Sequence, residues 1–206
     1  LTCIYHGWKF DVTGACVDMP SEPAESNFKD KVRSIGYAVK EMAEIVWVYM
    51  GPADKQPADL PDMEWAKVAP AQRNLVKYNQ ECNFVQAIEG DIDSSHIGFL
   101  HKSKIRLQTS DVGVREYQVR DKAPRWIVDP TDYGLMLAAR RNAEADSYYW
   151  RINHFYLPWY TTIAGSLNQS RGHGHIWVPV DDTHTEVWCV IWAPNEELTE
   201  QERWHC

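Results

Sequence analysis

The feature that most constrains this chain is a succession of short segments dense in aromatic and β-branched residues in its last hundred positions: 112–120, 125–128, 134–139, 148–155, 174–180 and 185–192. Such runs read as strands, and turn residues between them favour antiparallel neighbours over crossover connections. The last two are separated by Pro179-Val-Asp-Asp-Thr-His184, which has the polar chemistry of a hairpin. An antiparallel sheet over residues 112–192 is therefore predicted. After it, Asn195 to Trp204 reads as the first turns of a helix capped by Asn195 or Thr199.

The first 52 residues also read as strands: Trp8 to Val12 returns through Cys16-Val17 after a Thr13-Gly14 turn, and Ile35–Lys40 and Ile45–Met50 follow. Three prolines between Gly51 and Pro61, with no periodicity, mark a linker and a domain boundary near residue 55. With 44% hydrophobic residues, including ten Trp and ten Tyr, the chain can bury a real core. A formal charge of -8 disfavours attraction to nucleic acid or anionic lipid. No run approaches the roughly 18 apolar residues of a membrane helix. The five scattered cysteines, odd in number and preceded by no secretory pattern, read as reduced thiols in a cytoplasm.

One stretch breaks the strand pattern. Phe84, Ile88, Ile92 and His96 recur at steps of four, predicting a helix from Asn83 to about residue 97. On it Glu89, Asp93 and His96 would share a face. His101 would point about 140° away from His96 on an unbroken helix, so the reading requires a bend at Gly98 to bring the two imidazoles together. Two neutral imidazoles suit iron, zinc, copper or nickel, and with one carboxylate they make the facial triad of non-haem Fe(II). Asp93, one turn before His96, is placed to accept that ring's other N–H. A zincin would need His-Glu-x-x-His, which is absent, and a di-iron bundle would need two Glu-x-x-His helices. A solvent-facing acidic helix with structural histidines is the bland alternative.

The second pair is Cys3-x-x-His6, which could be half of a zinc site or half of a Rieske centre, where two Cys hold one iron and two His the other. Cys3-Ile-Tyr-His6-Gly-Trp-Lys-Phe-Asp11, with Gly14, Met19-Pro20 and Glu22-Pro23, resembles the second half of the Rieske motif of aromatic-ring-hydroxylating oxygenases. Glu89-x3-Asp93-x2-His96-x4-His101 resembles the mononuclear iron motif of the same family, in the expected order and joined by Trp47-Val-Tyr-Met-Gly-Pro52. The resemblance is closest to the phthalate-dioxygenase-like branch of terminal oxygenase α subunits, to which Asn83-Phe-Val-Gln-Ala-Ile-Glu-Gly-Asp-Ile-Asp93, Tyr149-Trp-Arg151 and Val178-Pro-Val-Asp-Asp182 are also similar.

What the resemblance implies is an α+β chain. Residues 1–55 would be the C-terminal half of an all-β Rieske domain, and 56–206 the N-terminal part of a helix-grip catalytic domain, truncated at both ends. Cys3 and His6 would be two of the four [2Fe-2S] ligands, and His96 and His101 two of the three Fe(II) ligands. The Cys-x-His half lies upstream in the family, and the third iron ligand is a later aspartate. Asp93 would bridge electron transfer from a neighbouring subunit's cluster. The implied partners are O2, a small carboxylated aromatic substrate, a flavin/iron-sulfur reductase, and further copies in a homotrimer or larger ring. The reaction would be hydroxylation or O-demethylation, with the isolated piece inactive.

Candidates for the pocket wall are Asn83, Gln86, His154, Tyr156, His173 and His175, taken to lie on the helix face or on strands covering it. Arg151 and Arg171 could bind a substrate carboxylate bidentately. Two rival readings are a non-catalytic helix-grip ligand-binding module with a degenerate Rieske remnant, and a zinc hydrolase using His96, His101 and Glu89 as base.

Overall fold

The structure, a computed structural model, describes residues 1–102, 112–164 and 171–203. It divides into two compact units, Leu1–Asp62 and Met63–Cys206. Among the described residues, no helix is long and apolar enough to cross a membrane.

The first unit is built from two hairpins. Strands β1 (Lys9–Phe10) and β2 (Cys16–Asp18) pair antiparallel across the predicted turn. There the Asp11 carboxylate accepts from the Thr13 and Ala15 amides at 2.8 and 3.0 Å. Gly14 sits at φ +81°, and a Cβ there would fall 2.2 Å from the Ser34 carbonyl oxygen, so only glycine fits. Strands β3 (Ala38–Met42) and β4 (Ile45–Tyr49) are joined by Ala43 and Glu44, both at positive φ, a two-residue turn whose twist matches its strands. The predicted 35–40 strand thus begins at Ala38, because the turn at 43–44 fixes the register.

In the second unit a seven-stranded sheet runs in the order β5-β11-β10-β9-β8-β7-β6, every neighbour antiparallel. Its strands are β5 (Arg73–Gln80), β6 (Arg125–Thr131), β7 (Gly134–Asn142), β8 (Tyr148–Tyr156), β9 (Tyr160–Ile163), β10 (Gly172–Pro179) and β11 (Thr185–Trp192). The β10–β11 hairpin forms as expected, with the Asp181 carboxylate accepting from the Thr183 amide at 2.8 Å. Hydrogen bonds from the Thr183 amide and the His184 ring hold that carboxyl at about 2, outweighing the opposing effect of desolvation.

Side chains alternate between the faces of the sheet. One face carries Val187, Trp177 and Phe155, on which helix α2 (Phe84–Ile92) lays Phe84, Ala87, Ile88 and Ile92. Ile88, Trp177 and Val187 are at most 5% exposed, and burying each is worth about 1.5–3 kcal/mol, more than a nine-residue helix gains from propensity. The opposite face carries Tyr160 and Trp192; there α1 (Glu64–Lys67) accepts the Trp192 indole N–H on the Glu64 carboxylate at 2.9 Å. The last helix, α5 (Glu200–Arg203), is capped by Thr199, whose hydroxyl and amide exchange hydrogen bonds with Glu202.

Two expectations are corrected. Residues 112–120 form a helix, α4 (Val112–Arg120), not a strand. Arg120 lies over the Tyr117 ring at 4.8 Å, an i, i+3 contact that a strand cannot make, and Gln118 turns inward to donate to the Tyr149 hydroxyl at 2.7 Å. The long helix through residue 97 is also two pieces, since α2 stops at Ile92 and α3 (Ile97–Leu100) starts anew.

Candidate metal centre

The break between α2 and α3 is made by Asp93. Its backbone is extended (φ -72°, ψ 121°) while its amide still closes the last turn on the Glu89 carbonyl at 3.2 Å. The carboxylate then folds forward: Oδ1 accepts from the Ser95 amide at 2.7 Å and Oδ2 from the His96 amide at 3.0 Å. Oδ2 also lies 3.1 Å from His96 Nδ1. Burial pushes the Asp93 carboxyl up, but the Ser95 and His96 amides and the His96 ring outweigh it and hold it below its ordinary value. With Nδ1 engaged, His96 keeps Nε2 for another partner.

His96 and His101 bracket α3 at its two ends, and their ring centroids are 5.2 Å apart at 70°. The two imidazoles therefore converge, but not by the expected route. Gly98 does not bend the chain; it lies inside α3, where an added Cβ would come 2.1 Å from the Gln118 carbonyl oxygen of α4. The glycine lets α3 pack directly on α4, and the bend is at 93–95. Gly98→Ala should cost about 1–3 kcal/mol through this backbone clash and loosen His101, read as a lower unfolding midpoint together with weaker iron retention.

The turn is tied to the sheet by residues the sequence reading did not single out. Arg141 on β7, fully buried, donates to the Ser94 carbonyl, to Ser94 Oγ at 3.2 Å and to the Asp121 carbonyl at 3.0 Å. Asn153 on β8, also buried, donates to the Ile92 carbonyl at 3.2 Å and accepts from the Ala164 amide at 3.0 Å. Asp91 is a third: its carboxylate accepts from the Thr161 hydroxyl and meets His175 Nδ1 at 3.1 Å. A signal for it existed, because Asp91 falls seven residues after Phe84, on the apolar stripe of α2, where a carboxylate needs a buried partner.

The pocket candidates divide by face. His173 and His175 do lie on the α2 side of the sheet, but one ring nitrogen of each is engaged, His173 Nε2 with Cys189 Sγ at 3.3 Å and His175 Nδ1 with Asp91 at 3.1 Å. His154 and Tyr156 are a correction: Asn153 and Phe155 face α2, so their neighbours point to the other side. There Tyr156 stacks between Tyr133 and Tyr160 at 4.8 and 5.0 Å, while His154 bonds the Tyr133 hydroxyl at 2.8 Å and is held by burial below its ordinary value. Asn83 is a second correction, spent as the cap of α2, where it accepts from the Val85 amide and donates to the Asp182 carbonyl. Gln86 and Glu89 are exposed, so neither lines an interior wall of the described residues. Arg171 is taken by Glu196 and Glu202 at 2.5 and 2.7 Å. Arg151 is on the α2 side, and its buried Nε finds no hydrogen-bond partner among the described residues.

In the first unit Cys3 and His6 sit on one tight turn closed by the Cys3 amide on the Trp8 carbonyl at 2.8 Å and the Gly7 amide on the Cys3 carbonyl at 2.9 Å. Both side chains are exposed. The turn offers one thiolate and one imidazole, which fits one half of a Rieske donor set.

Comparison with known proteins agrees with this geometry. Residues 1–37 match the Rieske [2Fe-2S] domain, and residues 48–206 match the LigXa C-terminal domain like family. The chain is 38% identical over 194 residues to the 3-chlorobenzoate-3,4-dioxygenase oxygenase subunit of Comamonas testosteroni, covering 94% of this chain and 44% of that one. It is 37% identical over 212 residues to the phthalate 4,5-dioxygenase oxygenase subunit of Pseudomonas putida, covering 99% and 48%. It thus spans about half the length of the curated relatives it matches. Among solved structures, NdmA of Pseudomonas putida CBB5 with caffeine shares the fold at a TM-score of 0.69 and 17% identity, over 100% of this chain and 59% of that one. A Rieske-type segment followed by a LigXa-like domain, with paired imidazoles at the sheet-covering helices, places the chain in the family of Rieske oxygenase α subunits, to which it belongs.

Proposed function

We propose that this chain is part of a terminal oxygenase that hydroxylates or O-demethylates a carboxylated aromatic compound. The observation that carries the reading is the meeting of His96 and His101 at 5.2 Å with the Asp93 carboxylate on His96 Nδ1. That donor set fits a ferrous ion held by two neutral imidazoles, with a carboxylate ligand as the third. Cys3 and His6 would contribute half of the [2Fe-2S] ligation. When bound, the iron supplies oxygen activation and the cluster supplies electrons one at a time.

The chain's own residues do the rest. Asp93 fixes the tautomer of His96, and because its side chain stays 38% exposed it can also be met from outside by a neighbouring subunit's cluster. Arg141 and Asn153 hold the 93–96 turn against the sheet, so the ring position does not drift. Arg151, with a buried N–H left over on the same side of the sheet, suits a substrate carboxylate, as guanidinium binds carboxylate through a planar fork. The names of the two relatives, which act on 3-chlorobenzoate and phthalate, support that substrate class. Electrons would come from NAD(P)H through a flavin/iron-sulfur reductase, in a trimer or larger ring.

The test is oxygen uptake by the iron-loaded and cluster-loaded oxygenase with reductase and NADH, screened over benzoates, phthalates and methoxybenzoates. Uptake coupled to a hydroxylated or demethylated acid is the expected result. Bound zinc with activity independent of oxygen would overturn it in favour of a hydrolase, and ligand binding without turnover in favour of a binding module.

A further inference from the structure

On the α2 side of the sheet a second set of ligand-type side chains gathers. His173 and His175 are two apart on β10 and so share a face, and Cys189 on β11 stands directly opposite His175 in the strand register. Their ligand atoms all lie within 4.8 Å of one another, with His173 Nε2 already 3.3 Å from Cys189 Sγ. The His173 and His175 rings are 4.9 Å apart. Cys189 is 1% exposed, so its sulfur faces these rings rather than solvent. Among the described residues this is the one group of three or more such side chains with metal-site spacing, and it does not include His96 or His101.

We propose that His173, His175 and Cys189 form a second metal site, selective for a borderline-soft divalent ion of the zinc class and separate from the His96/His101 pair. The chemistry of the set points there: one thiolate with two imidazoles favours zinc over the hard oxygen-seeking ions. Bond lengths of about 2.0–2.1 Å to nitrogen and 2.3 Å to sulfur put tetrahedral ligand atoms roughly 3.3–3.6 Å apart, so side-chain movements of about 1 Å close the site. Asp91 is the second observation. It lies 3.1 Å from His175 Nδ1 through both carboxylate oxygens, an arrangement that fixes the ring and leaves Nε2 free to bind a cation. Its side chain is 8% exposed and is anchored by Thr161, which in turn accepts from the Trp177 indole at 2.9 Å. A buried carboxylate, a hydroxyl and an indole thus hold one imidazole at a fixed angle, which a histidine serving only as packing does not need. Three protein ligands leave a fourth position for water, and the ion would clamp β10, β11 and, through Asp91, helix α2. The proposal does not depend on the oxygenase reading.

The test uses Co2+ as a spectroscopic stand-in for Zn2+ on the 206-residue chain, reading the near-ultraviolet thiolate-to-cobalt charge-transfer absorption. One equivalent with that absorption is expected, displaced by Zn2+, lost in Cys189→Ser and His173→Gln, and kept when His96 and His101 are both replaced by alanine. Asp91→Asn should keep the absorption but weaken affinity by about 10- to 100-fold. Should Cys189→Ser fail to fold by circular dichroism, His173→Gln, half-buried and better tolerated, decides. Absence of the absorption in the native chain, its persistence in folded Cys189→Ser or His173→Gln, or its loss on removing only His96 and His101 would each overturn the site.

Discussion

Asp93→Asn is expected to leave iron bound and lower turnover of the assembled oxygenase by about 100-fold, at the upper end of what loss of an outer carboxylate partner costs a metal site. Three donors now converge on this carboxylate: the Ser95 amide, the His96 amide and the His96 ring. An asparagine keeps one acceptor oxygen and presents an NH2 where the second oxygen stood, so one amide or the ring loses its partner. The turn persists on the remaining acceptor and on Arg141, which touches Ser94 and not Asp93. Iron content therefore changes little. What disappears is the negative charge of Asp93 that faces His96 Nδ1, fixes the tautomer and makes the ring a better donor, and with it the proposed bridge to a neighbouring subunit. Metal analysis beside steady-state oxygen uptake separates the two effects. A normal product yield from the variant would sink the assignment of Asp93 as the electron bridge, while loss of iron would mean that it acts as a ligand or as a structural latch.

The parts of this site that the sequence made legible are those set by local spacing. Asp93, His96 and His101 lie within nine residues, and the hairpins at 11–15 and 180–184 announce themselves through Asp, Thr and Gly in short runs. What escaped depends on contacts between distant segments. Arg141 reaches Ser94 across 47 residues and Asn153 reaches Ile92 across 61, and neither pairing follows from local pattern. Strand β5 escaped because its outer half, from Lys77 to Gln80, is exposed and polar, and it pairs with β11 more than a hundred residues later. The parity of β8 explains the error at His154 and Tyr156: a strand's alternation says that neighbours face opposite ways, but only Asn153 on the Ile92 carbonyl says which set faces α2. The misreading of α4 has the same root, since Tyr117 and Val119 have strand propensity, and the contacts of Tyr117 with Arg120 and of Tyr117 and Gln118 with Tyr149 of β8 override it.

Arg141→Met is the variant that should damage the fold and the site together. The guanidinium is wholly buried, and burial lowers its pKa against the raising influence of Tyr149, Asp121 and Asp93. It satisfies the Ser94 carbonyl, the Ser94 hydroxyl and the Asp121 carbonyl at once. Methionine fills much of the volume but leaves the buried Ser94 carbonyl and the half-buried Asp121 carbonyl without this donor, at about 1–3 kcal/mol for the first and about 1 kcal/mol for the second. Part of this is offset because an expensive buried charge is removed. The net expectation is roughly 3 kcal/mol, a large share of a domain's stability, seen as a lower urea midpoint with unchanged slope. Ser94→Ala removes only the weakest of the three contacts and should cost about 1 kcal/mol. Because Ser94 follows Asp93 and precedes His96 by two residues, freeing its carbonyl lets the whole turn swing, and iron affinity should fall by at least about tenfold in Arg141→Met while staying near native in Ser94→Ala. If the two variants instead lose iron equally, the turn is held by its own Asp93 hydrogen bonds and the sheet is only a passive wall.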